Sequence, residues 1–186
     1  MNKYIRGGIC ASVTLVKFAF LKLVRGKDFQ CGLVNNCSPL TTVEINKGGK
    51  LTIGKRFKMG SHSYIRVRSK GKLTIGDHVA FNHGNIIVCH DEITFGDNVQ
   101  VGPNVLFYDH DHDFRAENGL KNLIYKTAPI TIGNNVWISA NTVVLRGTTI
   151  GDDCVIGAGS VVKGNIPAGT VLIQKRQNEF IEVKHD

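Results

Sequence analysis

Between residues 109 and 113 the chain reads Asp-His-Asp-His-Asp, two imidazoles two positions apart among carboxylates. A neutral imidazole titrates near physiological pH, so it can take a proton from a hydroxyl and hand it on to a leaving group. His112 stands at the start of a polar segment. His110, two residues earlier, is a second candidate, as base or as substrate contact. Tyr108 and Asp111 on the same segment can hydrogen-bond to hydroxyl groups. A competing chemistry is metal binding. His78, His83 and His90 are spaced five and seven apart, and a zinc site would need such ligands to converge around an open position.

The elements that must hold these residues announce themselves by a period of six. From Ile132 an aliphatic or small residue recurs at Ile138, Val144, Ile150, Ile156, Val162 and Ala168, often followed by Gly. The same phase runs through Phe95, Val101 and Phe107, through Ile75, Phe81 and Ile87, and through Ile53, Met59 and Ile65. The tripeptide T-[IF]-G starts at Thr52, Thr74, Thr94, Thr131 and Thr149. Six is neither the helical period nor two-residue alternation. It is the period of a short flat strand plus a corner, and three such units close one coil of a parallel β-helix. The aliphatic residue points inward, and Gly, Asn or Asp is expected at the strained corner. Spacings of 22 and 20 between successive T-[IF]-G starts predict small extra loops near Ser69–Gly71 and His90–Glu92. The spacing of 37 predicts one loop extruded from a coil corner over 108–128.

Residues 1–28 precede the repeats. Ile9, Val13, Val16, Phe20 and Val24 lie at helical spacing and predict a helix that plugs the open end of the prism. Its Lys and Arg flanks also fit an interfacial membrane helix. The apolar stretch Ile9–Val24, broken by Lys17 and Lys22, reads as too short and too charged to span a bilayer. It is followed by no convincing signal-peptide cleavage site. The organisation is therefore a helical cap over 1–28, a β-helix domain over 29–172 and a tail over 173–186.

Composition agrees. Val, Ile and Thr number 19, 18 and 12, against 12 Leu and 8 Ala, a β-branched excess that favours strands. Five cysteines without a C-x-x-C pair suit a reduced, cytoplasmic protein. Net charge is +8, but residues 1–72 hold 15 Lys and Arg against 2 acidic residues. Lys55, Arg56 and Lys58, and outward-facing Arg66, Arg68 and Lys70, point to an anionic partner such as an acidic glycan or a membrane surface. The basic third lacks the interleaved aromatics and reader motif of a nucleic-acid binder.

Three stretches carry a family resemblance: G-P-N-V-L-F-Y-D-H-D-H at 102–112, A-P-I-T-I-G-N-N-V-W-I-S-A-N at 128–141, and T-I-G-D-D-C-V-I-G-A-G-S-V-V at 149–162 with N-I-P-A-G at 165–169. The sequence resembles the left-handed β-helix acyltransferases of the hexapeptide-repeat superfamily. Its branch looks like the maltose and galactoside O-acetyltransferases and those of capsule and lipopolysaccharide synthesis. The resemblance implies an all-β, left-handed parallel β-helix with a short N-terminal helix, assembled as a homotrimer with active sites between subunits. It implies transfer of acetyl from acetyl-CoA to a saccharide hydroxyl, with His112 as base and no metal. By the same resemblance Asn82 contacts the acceptor, the backbone at Ser139–Ala140 supports the oxyanion, and Trp137, Ala140, Ala158 and Lys163 line the CoA groove. Lys175 and Arg176 are candidate partners for the nucleotide phosphates. Two departures bear on that end: Lys163-Gly164 replaces the family's Thr-Lys pair, and Ile173-Gln174-Lys175-Arg176 replaces its usual tail. Cys89 stands where the family often has an acceptor-binding Asp. The γ-type carbonic anhydrases share this fold and use three His ligands, so a zinc enzyme is the first alternative and a non-catalytic scaffold the second.

Overall fold

The computed structural model describes residues 2–175 and 177–182. After one helix, α1 (Lys3–Arg25), the chain winds into a three-sided parallel β-helix whose strands run from Phe29 to Leu172. Two faces carry seven strands and the third carries six, all parallel, each strand pairing with those one coil away. The first face includes Lys72–Ile75 and Glu92–Phe95, the second Ala80–Phe81 and Trp137–Ile138, the third Ile86–Cys89 and Leu106–Tyr108.

The six-residue phase is the inner surface. Ile53, Ile75, Phe95, Ile132 and Ile150 form one buried column, and Met59, Phe81, Val101, Ile138 and Ile156 another. Phe81 packs edge-on against Phe57, Phe95 and Phe107 at centroid distances of 5.9, 5.3 and 6.1 Å. Coils approach so closely at T-[IF]-G that only Gly fits: a Cβ on Gly76 would lie 2.6 Å from the Gly96 carbonyl oxygen.

Corners follow the expectation only in part. Asn98, Asn135 and Asp153 occupy the left-handed region at the corner between the first and second faces. In the first coils that same column holds Val34 (φ 63°), Arg56 and His78, and His62 sits likewise at the next corner. The N-terminal coils thus place β-branched and basic residues where Gly or Asn costs least. The corner between the third and first faces takes up the extra residues. It is four residues long at Asn46–Gly49 and Arg68–Gly71, two at His90–Asp91, and in the next coil it releases the extruded segment.

Helix α1 lies across the first coil. Its expected plugging stripe is turned mostly the other way: Ile9, Val16, Phe20 and Val24 are 46, 71, 62 and 55% exposed, and Val13 alone of the five is half-buried. The inward side instead carries Thr14, Lys17, Phe18 and Leu21. The Thr14 hydroxyl accepts from the Cys37 N–H at 2.7 Å, the Lys17 ammonium donates to the Thr41 carbonyl, and Phe18 meets Phe29 edge-on at 5.3 Å. These polar groups satisfy open backbone positions of the end coil, which aliphatic side chains cannot do. Gly7–Asp28 is long and apolar enough to cross a membrane by length and composition, more than the sixteen residues of Ile9–Val24 suggested.

Candidate functional site

The extruded segment leaves the prism at Asp109 and returns at Ala128, whose N–H donates to the Asp109 carbonyl at 3.0 Å. Between them His110–His112 pairs antiparallel with Tyr125–Thr127, so His110 faces Thr127, Asp111 faces Lys126 and His112 faces Tyr125. The region that read as a bare loop is thus a short hairpin, and the imidazoles sit on a strand.

A buried carboxylate anchors it. Asp109 is fully buried and accepts from the N–H groups of His90 (2.8 Å) and Asp91 (2.7 Å). Its Oδ1 lies 3.2 Å from Nδ1 of His110. Burial opposes ionisation, yet the hydrogen bonds from His110, His90 and Asp91 hold Asp109 below the usual carboxylate range. His110 stacks on His90, with Tyr108 at 5.9 Å and Tyr125 at 5.5 Å beside it. Burial, and then the neighbouring His110, push His90 down to about 4. His112 is exposed at the outer end of the strand and leans on Tyr125, centroids 4.7 Å apart. Asp111 is tied to Arg146 of the next coil, Oδ2 to Nε 2.5 Å, and Asp113 pairs with Lys126 at 3.0 Å.

Sequence reasoning found His110, His112, Tyr108 and Asp111, took His90 only as a candidate zinc ligand, and missed Asp109, Tyr125 and Arg146. Asp109 was visible as the first letter of D-H-D-H-D. His90, Tyr125 and Arg146 come from distant positions that no local spacing connects to it.

A second group lies on another edge, the corner between the second and third faces. Asn82 is exposed there, its Oδ1 accepting from the His83 N–H at 2.9 Å. Ser139 and Ala140 follow at the same corner one coil beyond Gly102, whose close approach to Ala140 leaves no room for a Cβ. The Ser139 N–H donates to the Ile156 carbonyl at 2.9 Å. Among the described residues the Ala140 N–H heads no backbone hydrogen bond. Ala158 is exposed one coil further along, and Trp137, 55% exposed, stands on the adjoining second face. Lys163 is exposed at the other corner, on the hairpin's side of the third face. Lys175 is exposed beyond the last strand, and Arg176 lies outside the described residues. The intervening Gln174 caps the last third-face strand, its amide donating to and accepting from the Val161 backbone at 2.7 and 2.9 Å.

The two groups flank the third face and are therefore separated by its width, about 15 Å for four to five extended residues. His78, His83 and His90 fall at three different corners of one subunit, and among the described residues no three His, Cys, Asp or Glu side chains are grouped to hold a metal ion.

Comparison with known proteins adds the following. The pattern described as bacterial transferase hexapeptide (six repeats) matches residues 129–164. A putative lipopolysaccharide biosynthesis O-acetyl transferase, WbbJ of Escherichia coli K12, is 27% identical over 90% of this chain and 86% of its own length. The galactoside O-acetyltransferase of the same organism is 43% identical over 52% of this chain and 47% of its own length, so the chain spans about half of that relative. Among solved structures, AntD, an N-acyltransferase from Bacillus cereus in complex with dTDP and coenzyme A, superposes with a TM-score of 0.66, covering 82% of each chain at 19% identity.

Proposed function

We propose that this chain, which resembles the hexapeptide-repeat acyltransferases and among them the sugar and lipopolysaccharide O-acetyltransferases, moves the acetyl group of acetyl-CoA to a hydroxyl of a saccharide, a surface polysaccharide or its precursor. The observation that carries this reading is the His110–His112 strand, which holds an accessible imidazole at the mouth of a hairpin tied down by Asp109 and Arg146.

In this reading His112 is the general base. It takes the proton as the acceptor oxygen attacks the thioester carbonyl carbon. The C–S bond then breaks and the proton passes to the departing thiolate. The Ala140 N–H is the donor for the oxyanion that develops between the two steps. Trp137, Ser139, Ala140, Ala158 and Lys163 line the CoA groove, Lys163 from the facing edge of a neighbouring subunit, Lys175 and Arg176 meet the nucleotide phosphates, and Asn82, Tyr108 and Asp111 contact the acceptor. His110, oriented by Asp109, supports Tyr125 and through it His112.

The base and the oxyanion donor lie about 15 Å apart within one subunit, too far to serve one thioester. Three prisms side by side would bring the hairpin of one subunit against the Ala140 edge of the next, so the active unit in this reading is a homotrimer. Acetyl-CoA as the donor supports a cytoplasmic location.

The test is incubation with acetyl-CoA and a panel of saccharides, following free thiol release and locating the acetylated hydroxyl by NMR. Acceptor-dependent thiol release supports the reading. Acetyl-CoA that neither binds nor turns over with any saccharide would leave the scaffold reading standing.

A further inference from the structure

Helix α1 buries Phe18 and packs Leu21 against the core but turns most of its apolar side chains outward. A surface helix buries its apolar stripe and wets its polar one. Here Thr14 and Lys17 face the prism, while Ile5, Leu15, Val16, Phe20 and Leu23 are 59, 73, 71, 62 and 83% exposed. Leu33, Val34 and Leu40 of the first coil are exposed as well. Single exposed aliphatics are ordinary, but a contiguous face of this kind marks an interaction site. The charge around it has one sign. Residues 1–27 contain no carboxylate, and Lys22 and Lys27 are exposed at the helix's C-terminal end.

We propose that the outer face of α1 seats the protein on an anionic phospholipid bilayer, the helix lying in the plane of the interface. Its apolar side chains enter the headgroup–acyl boundary, and Lys22 and Lys27 meet the lipid phosphates. The inward contacts of Thr14, Lys17 and Phe18, and the hydrogen bond from the Asn36 amide to the Gly7 carbonyl (3.3 Å), hold the helix flat on the end coil along most of its length. Docked in this way it cannot stand across the bilayer.

The site geometry gives the contact a use. An open groove of about 1000 Å³ is lined by Gly7 and Ile9 of α1, by Lys58 and Met59, by Asn82, and by Gln100 of the coil beyond. A saccharide carried on a membrane lipid would lie along it, its lipid in the bilayer beside α1 and its sugar at Asn82. This last step rests on the O-acetyltransferase reading; the bilayer contact does not.

The experiment is sedimentation of the full chain with vesicles of phosphatidylglycerol and phosphatidylcholine, without acetyl-CoA. Wild type co-sediments at low salt and partly dissociates as salt is raised, because only the ionic share is screened. Val16→Glu with Leu23→Glu lowers partitioning about tenfold or more while the melting curve is kept, since both side chains are exposed. Lys22→Glu with Lys27→Glu weakens binding to anionic vesicles specifically. Three results overturn the proposal: no association at low salt, unchanged association of the Val16/Leu23 variant, or resistance to alkaline carbonate, which signals a spanning segment. A fourth is a larger oligomer in solution that the same variant dissolves without any vesicle binding, which means that a second copy covers the face. Thiol release with a soluble saccharide is scored separately, so loss of membrane binding and loss of acetyl transfer are told apart.

Discussion

His90 and His110 stack face to face, their ring centroids 3.7 Å apart and their planes 20° from parallel, although they come from different coils. Two imidazoles at this distance cannot both carry charge cheaply. Asp109, beneath them, accepts the His90 N–H and lies against Nδ1 of His110. The two rings are not placed alike: burial, and then the adjacent His110, leave His90 neutral, whereas His110 keeps the contact with the carboxylate.

That asymmetry has a pH signature. The folded-state value of His90 is depressed to about 4, well under its ordinary value, so the unfolded chain binds the proton first as the solution is acidified. Stability from neutral His90 is present above about pH 6.5 and lost as the pH falls towards 4. Asp109 is depressed too and adds loss in the same direction below the usual carboxylate range. Melting temperature against pH should fall through this window. His90→Gln, which keeps a polar side chain but cannot titrate, should flatten the upper part of the curve by a few degrees. Parallel curves for the two proteins would refute the assignment.

The two imidazoles of the hairpin separate by variant. His112→Ala should lower turnover by about a hundredfold or more with the fold intact, the size expected for a lost general base. His110→Ala should cost less in turnover and more in stability, because its ring is packed among Tyr108, His90 and Tyr125. The reverse order, with Asp109→Asn reproducing His110→Ala, would make His110 the base and Asp109 its orienting carboxylate.

Val34 occupies the left-handed region at φ 63° with its side chain 79% exposed. A β-branched residue there is strained by roughly 1–2 kcal/mol, and no core contact offsets it. Val34→Asn matches the residue that Asn98 and Asn135 supply in later coils of the same column. We expect it to raise stability by about 1 kcal/mol, or about 2–4 °C in melting temperature for a domain of this size. An unchanged or lower melting temperature would show that the corner is relaxed.

The period of six made the prism legible because each inward residue answers to a column of its own kind, as in Ile53, Ile75 and Phe95. The first coil was visible only as what must precede the T-[IF]-G signature, since Cys31 and Cys37 take the column positions without it. Helix α1 was legible as a helix but not in its facing. Its apolar stripe was the expected inner side, whereas the end coil needed the polar groups of Thr14 and Lys17 at Cys37 and Thr41, 23 and 24 residues away. The same holds at the site. His110 and His112 are local in sequence, but Arg146 reaches Asp111 across 35 residues, and nothing in its own neighbourhood reveals that.

The separation of the two site edges gives the last prediction. His112 belongs to the corner between the third and first faces, and Ala140 and Ala158 to the corner between the second and third. If one active site takes its base from one subunit and its donor groove from the next, each subunit contributes to two different sites. A variant that has lost the base then still offers a sound groove, and a variant with a blocked groove still offers a sound base. His112→Ala removes the imidazole. Ala158→Trp fills the groove edge at an exposed position where the fold tolerates the bulk. Each variant alone should be nearly inactive. After co-refolding in equal amounts, neighbouring subunits of a ring combine at random, and about one interface in four unites a sound base with a sound groove. Thiol release with the acceptor should therefore recover to roughly a quarter of the wild-type rate. Mixed oligomers that are verified by mass and remain inactive would place base and donor in a single subunit, and the trimeric site would have to be abandoned.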